Sequence, residues 1–154
     1  MFFGIDPGLS GYLAIIDGLE VSFHKCPASK TGPKGRNQNA PWDMFVLVSD
    51  KLNPGCFGYL EAITAHATSK SLTATFTMGG NFWLWRGLLD IEAVPYDIIT
   101  AQKWQKGVGL PAKSHKDKHI EIATRLYPQA AVGRNHNKAD ALLLAHLAKK
   151  DALK

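Results

Sequence analysis

Apolar residues occur in short runs near the start of the chain and at helical spacing further on. Phe2, Phe3 and Ile5 form one run and Tyr12 to Ile16 a second, with Pro7, Gly8, Ser10 and Gly11 as turn residues between them. This pattern predicts strands at Met1–Ile5, Gly11–Ile16 and Leu19–Lys25, the last two joined by an Asp17-Gly18 hairpin turn. Residues 26–41 lack acids and are rich in Gly, Pro, Lys and Asn, which predicts a mobile basic loop. "PWDMFVLVSDKLN" (41–53) reads as a helix opened by Pro41, and "FGYLEA" (57–62) as a short strand. In 71–90, Leu72, Phe76, Trp83, Leu84 and Leu88 follow a helical period, although Gly79-Gly80 suits a helix only where something packs closely. A strand over 91–99 carries Pro95, which places it near a sheet edge. Helices follow at 100–109, at 116–128 up to the stop at Pro128, and at 137–150.

Three strands, a helix, a strand, a helix, a strand and then helices define an α/β protein. Its mixed sheet would be an antiparallel meander extended by strands connected through helices. No internal repeat divides the 154 residues, so 1–154 reads as a single domain.

The apolar content of 45% supplies one core and excludes a disordered chain. The formal charge of +5 points to a polyanionic partner, a weak signal in itself. Cys26 and Cys56 match no metal or redox spacing and fit a reduced, cytoplasmic protein. Asp6 and Asp17 interrupt the N-terminal apolar stretch, so it is not a signal peptide, and no apolar run reaches membrane-spanning length.

Three carboxylates stand in unexpected places. Asp6 and Glu61 each end an apolar strand, and Asp140 begins the apolar stripe of its helix, three, four and seven residues before Leu143, Leu144 and Leu147. Each has an ordinary reading: a turn former, a strand-end charge reaching solvent, a helix-dipole acid. Acids from three distant segments would also converge on a cation, because a carboxylate cluster repels itself unless neutralised. Hard divalent ions take such oxygen ligands and bind phosphates. His136, four residues before Asp140, shares its face if the helix begins early enough, and would ligate metal, position water or move a proton. Otherwise it is a loop or capping histidine.

"GIDPGLSG" (4–11), "LEA" (60–62) and "HNKADALLLA" (136–145) resemble the three acidic motifs of RuvC-type Holliday junction resolvases, members of the RNase H-like superfamily. "TAQKWQKGVGL" (100–110), "KDKHIEIATRLYP" (116–128) and "FTMGGNFWLWRGLL" (76–89) are similar to segments of the phage and prophage branch. The resemblance implies an RNase H-like fold with a five-stranded mixed sheet, three antiparallel strands and then parallel additions, flanked by helices. It implies Asp6, Glu61, His136 and Asp140 as metal-binding catalytic residues. It departs from the bacterial pattern at Asn137, where an acid or histidine is usual, and it offers no aromatic in Ala62-Ile63-Thr64.

The resemblance further implies two Mg²⁺ ions per site, with Mn²⁺ as a substitute, hydrolysing a phosphodiester to leave 5′ phosphates. Paired cuts in a four-way junction need two active sites, hence a homodimer. Phe82, Trp83 and Trp85 cannot all face one core stripe, which leaves some for that interface or for a larger core. Lys103, Lys106, Lys113, Lys116 and Lys118, interleaved with Trp104, His115 and His119, form the first candidate DNA surface, and Lys30, Lys34 and Arg36 the second. Two other readings stand beside a resolvase: another RNase H-like nuclease acting on flaps or RNA–DNA hybrids, and a junction-binding protein that does not cut.

Overall fold

The first three apolar runs pair as the sequence predicts. In the computed structural model, which describes residues 1–31, 36–63, 72–111 and 114–154, strand β1 (Phe2–Ile5) lies antiparallel to β2 (Tyr12–Asp17), and β2 antiparallel to β3 (Glu20–Lys25). Gly18 takes the left-handed conformation (φ 59°) that the tight turn between Asp17 and Glu20 requires. On the other side of β1, β6 (Phe57–Glu61) pairs parallel, and β7 (Tyr96–Ile99) pairs parallel to β6. The sheet order is β3-β2-β1-β6-β7, which puts the strand that follows Pro95 at an edge.

Alternation along the strands divides the core in two. Phe3, Ile5, Leu13, Ile15 and Leu60 face helix α1 (Pro41–Lys51) and helix α2 (Leu72–Ile91), packing on Met44, Val48, Trp85 and Leu89. Ala14, Ile16, Tyr59 and Ile99 face the other way, toward α3 (Ala101–Gly107), α4 (Lys116–Leu126) and α5 (His136–Ala152). Helices on both faces of a mixed sheet give a three-layer α/β fold. No helix among the described residues is long and apolar enough to cross a membrane.

Four expectations need correction. Residues 26–41 are not a plain loop: β4 (Ala28–Thr31) and β5 (Arg36–Asn39) form a two-stranded antiparallel ribbon. Its base is tied by backbone bonds from Cys26 N–H to Gly11 C=O (3.0 Å) and from Ala40 N–H to Pro27 C=O (3.2 Å), which bring the two ends of the segment together. The strand predicted from 91 starts only at Tyr96, because α2 runs on to Ile91. There Ala93, at φ 50°, turns the chain while Val94 N–H donates to Leu89 C=O, a helix stop without glycine. On α2 the buried stripe is Trp85, Leu88 and Leu89, whereas Phe76 (84% exposed) and Trp83 (64%) point to solvent. Of the three aromatics Trp85 is fully buried, Phe82 is half-buried against the same core, and Trp83 is left exposed, as the division between core and surface required. A side chain at Gly79 or Gly80 would meet nothing within 4 Å among the described residues, so no close packing explains that pair.

Candidate functional site

The parallel register of β1 and β6 sets Ile5 opposite Leu60, so Asp6 and Glu61 leave the sheet side by side at the C-terminal ends of neighbouring strands. Open α/β sheets offer their binding crevice at this end. The turn after β1 is fixed locally: Asp6 N–H donates to Tyr12 C=O (3.0 Å) and Gly8 N–H to the Asp6 carboxylate (3.2 Å). Asp6, Pro7, Gly8, Glu61, Ala62, Ile63, Met78 and Thr100 line a cavity of about 420 Å³.

Asp140 arrives from the opposite layer. Helix α5 is seated directly on β1, where a β-carbon at Gly4 would overlap the Ala141 carbonyl and the Ala145 amide. Only glycine allows this approach, and it carries Asp140 down to the strand ends. The helix begins at His136, capped by Asn135, whose side-chain oxygen accepts from Asn137 N–H (3.0 Å) and Lys138 N–H (3.2 Å). Asp140 is therefore past the first turn, and the dipole reading of this acid falls away.

The three acids sense one another. Burial raises the Asp6 carboxyl above its ordinary range, the Gly8 amide lowers it, and the Asp140 charge raises it further. Glu61 is pushed up to about 7, chiefly by burial, with the charges of Asp6 and Asp140 adding to the rise. Opposing this, the Trp104 indole N–H donates to Glu61 Oε1 at 3.0 Å.

Asp140 is held differently. It is 3% exposed, and burial alone would raise its pKa, yet hydrogen bonds from His119 and Lys116 bring it below the usual range. His119 Nδ1 lies 2.6 Å from Oδ1, and Lys116 Nζ lies 2.6 Å from Oδ2. The His119 ring is itself buried, with Nε2 3.2 Å from Ser114 Oγ and the ring set roughly perpendicular to that of Trp104 at 5.6 Å between centroids. A line of buried polar contacts thus runs Ser114–His119–Asp140, and Trp104 joins it to Glu61.

Sequence reasoning named Lys116 and His119 as parts of a DNA-facing strip and did not connect them with Asp140. Their spacing of three on a helix was the available signal, since it puts both on one face of α4. Trp104 and His119 face inward, so they leave the strip. Lys103 and Lys106 are exposed on α3, and Lys118 pairs with Glu121 at 2.8 Å. Lys34 and Lys113 lie outside the described residues, as does the side chain of Arg36 in β5. His136 is exposed at the start of α5, and its charge reaches Asp6. Asn137 Nδ2 donates to the Ser10 carbonyl (2.8 Å) and is spent on the β1–β2 turn. Among the described residues no three His, Cys, Asp or Glu side chains stand close enough to hold a metal ion in this arrangement. Both Asp140 oxygens are instead engaged by Lys116 and His119.

The fold is α/β, with a five-stranded mixed sheet flanked by helices in a RuvC-like, RNase H-like architecture. A structure of Thermus thermophilus RuvC in complex with a Holliday junction substrate superposes with TM-score 0.63 at 12% identity, covering 98% of this chain and 94% of that one. A second T. thermophilus RuvC structure gives TM-score 0.59 at 14% identity over the same shares. No family model matches the chain, and no curated protein matches it by sequence.

Proposed function

We propose that this protein is a divalent-metal-dependent endonuclease that resolves four-way DNA junctions by paired nicks, in the manner of the phage-like RuvC branch that its motifs resemble. One observation carries the reading: Asp6 and Glu61 leave neighbouring parallel strands in register, and Asp140 is brought to them across a glycine contact. The RuvC-like fold, seen in a neighbour solved with a Holliday junction substrate, supports it.

By the chemistry of its oxygen donors, though not by the spacing they take here, the set suits a hard divalent ion. Two half-buried carboxylates with raised pKa values, beside a third paired with the Lys116 ammonium, form a site short of positive charge. Asp6, Glu61 and Asp140, with His136 at the rim, would hold two Mg²⁺ or Mn²⁺ ions. When bound, such ions supply an activated water and stabilise the departing 3′ oxygen, leaving a 5′ phosphate.

The chain's own residues do the rest. Asp6, fixed by the Gly8 amide, anchors the centre of the site. Trp104 orients the Glu61 carboxylate, and His119 orients that of Asp140. Lys103 and Lys106, on the exposed face of α3 that follows the cavity wall at Thr100, would hold phosphates without reading sequence. Paired cuts call for a homodimer, for which the exposed Phe76 and Trp83 of α2 are the candidate contact.

A second reading, a junction-binding protein that does not cut, is favoured by the occupation of both Asp140 oxygens. End-labelled junction, flap, hybrid and linear duplex, incubated with Mg²⁺ and with chelator, separate these readings. Symmetrical metal-dependent nicks in the junction alone support a resolvase. Cutting of the flap or hybrid indicates another RNase H-like nuclease, and binding without cutting indicates the second reading.

A further inference from the structure

Lys116 and His119 touch the same carboxylate in different ways. The His119 side chain is 2% exposed and anchored at its far nitrogen by Ser114 Oγ, so it has nowhere to go. The Lys116 side chain is 52% exposed, yet its ammonium sits 2.6 Å from Asp140 Oδ2. It stands in the first turn of α4, and its flexible stem can swing to solvent at little cost. An ion pair whose cation is half-exposed exchanges more readily than one buried on both sides.

We propose that Lys116 is an exchangeable counter-cation of the acidic site: it holds Asp140 Oδ2 in the metal-free protein and is displaced when a divalent ion binds. This rests on the metal-dependent reading of the same site. His119 stays on Oδ1 throughout and keeps the carboxylate oriented, so the exchange occurs at one oxygen only. The charge near Asp140 is therefore never unbalanced, which explains how a nearly buried acid is tolerated without metal. The displaced ammonium is released at the mouth of the site and becomes free to meet a DNA phosphate. Metal loading and DNA binding are thereby coupled through a single lysine.

The test needs neither DNA nor turnover. Lys116 acetylation in the full-length protein is followed by mass spectrometry with and without Mn²⁺, and Mn²⁺ affinity is measured from the free-ion electron paramagnetic resonance signal. Lys116 acetylation should rise severalfold on saturation with Mn²⁺. Lys116→Gln should bind Mn²⁺ more tightly by about two- to fivefold, the factor that a half-exposed ion pair contributes. Lys116→Arg, which keeps the competing cation, should stay near wild type. Circular dichroism checks that the variants fold. Mn²⁺ binding that is lost in Asp6→Asn, but leaves Lys116 labelling unchanged and is not tightened in Lys116→Gln, overturns the exchange and leaves the metal site standing. Absence of any saturable, Asp6-dependent Mn²⁺ binding overturns the metal reading and the exchange with it.

Discussion

The indole N–H of Trp104 donates to Glu61 Oε1 at 3.0 Å, and this bond links α3 to the end of β6 inside the acidic site. A donor to a carboxylate favours its charged form, so this bond opposes the burial that pushes Glu61 up to about 7. Trp104→Phe keeps most of the ring but loses the donor. The acidic limb of the cleavage-rate profile should then move to higher pH. Stability should fall by about 1–3 kcal/mol, from the smaller buried ring and the lost bond. Rate profiles and denaturant melts of the two proteins check both.

Glu61 also predicts a pH dependence of the metal-free fold. Its ordinary value of 4.5 is raised to about 7, so the folded state holds the proton more tightly than the unfolded chain between these values. The associated stability is present below 4.5 and is lost as pH rises through 7. Glu61→Gln never ionises. It should melt close to wild type at acidic pH and above it at pH well past 7. After allowance for partial exposure the gain is on the order of 1 kcal/mol, about 2–4 °C in Tm for a chain of this size. Thermal melts in chelator across the pH range test this, and a variant equally stable at every pH relative to wild type would contradict it.

Gly4 connects packing to chemistry. A methyl group there would strike the backbone of α5 at Ala141 and Ala145, neither of which is a flexible side chain that can yield. Gly4→Ala should cost about 3 kcal/mol, the upper end of overpacking, and should lift Asp140 from the strand ends. Mn²⁺ affinity should fall in the same variant even at temperatures where circular dichroism shows it folded.

The exposed side of α2 makes the proposed dimer testable. No charged residue occurs between Leu72 and Trp85, and Arg86 lies over the Trp83 ring at 4.5 Å from its centroid. Phe76→Glu with Trp83→Glu removes the two exposed aromatics without touching the core. Sedimentation should change from twice the chain mass to the chain mass, and nicks in a junction should become unpaired. A double variant that remains dimeric places the interface elsewhere.

Much of this was legible in the chain itself. The strands with alternating apolar residues, the edge position after Pro95 and the three misplaced acids followed from local pattern and from the chemistry of burial. The Lys116–Asp140 and His119–Asp140 contacts were not legible, because they join positions 21 and 24 residues apart through the packing of α4 on α5. A lysine reads as a solvated charge until a tertiary neighbour claims it. The β4–β5 ribbon was missed because the polar composition of its segment carries no period. The stripe on α2 was misjudged for the opposite reason: Phe76 and Trp83 have helical spacing, but they lie on the side away from the sheet.

Cleavage of a labelled four-way junction by the wild-type protein and by Asp6→Asn, in Mg²⁺, in Mn²⁺ and in chelator, tests the central claim most directly. The account predicts paired 5′-phosphate-bearing nicks by the wild type with either metal. It predicts none in chelator, and none by Asp6→Asn, which should still bind the junction. Cleavage that persists in Asp6→Asn or in chelator would contradict the assignment of the acids. A wild-type protein that binds the junction and leaves it intact with both metals would contradict the endonuclease itself.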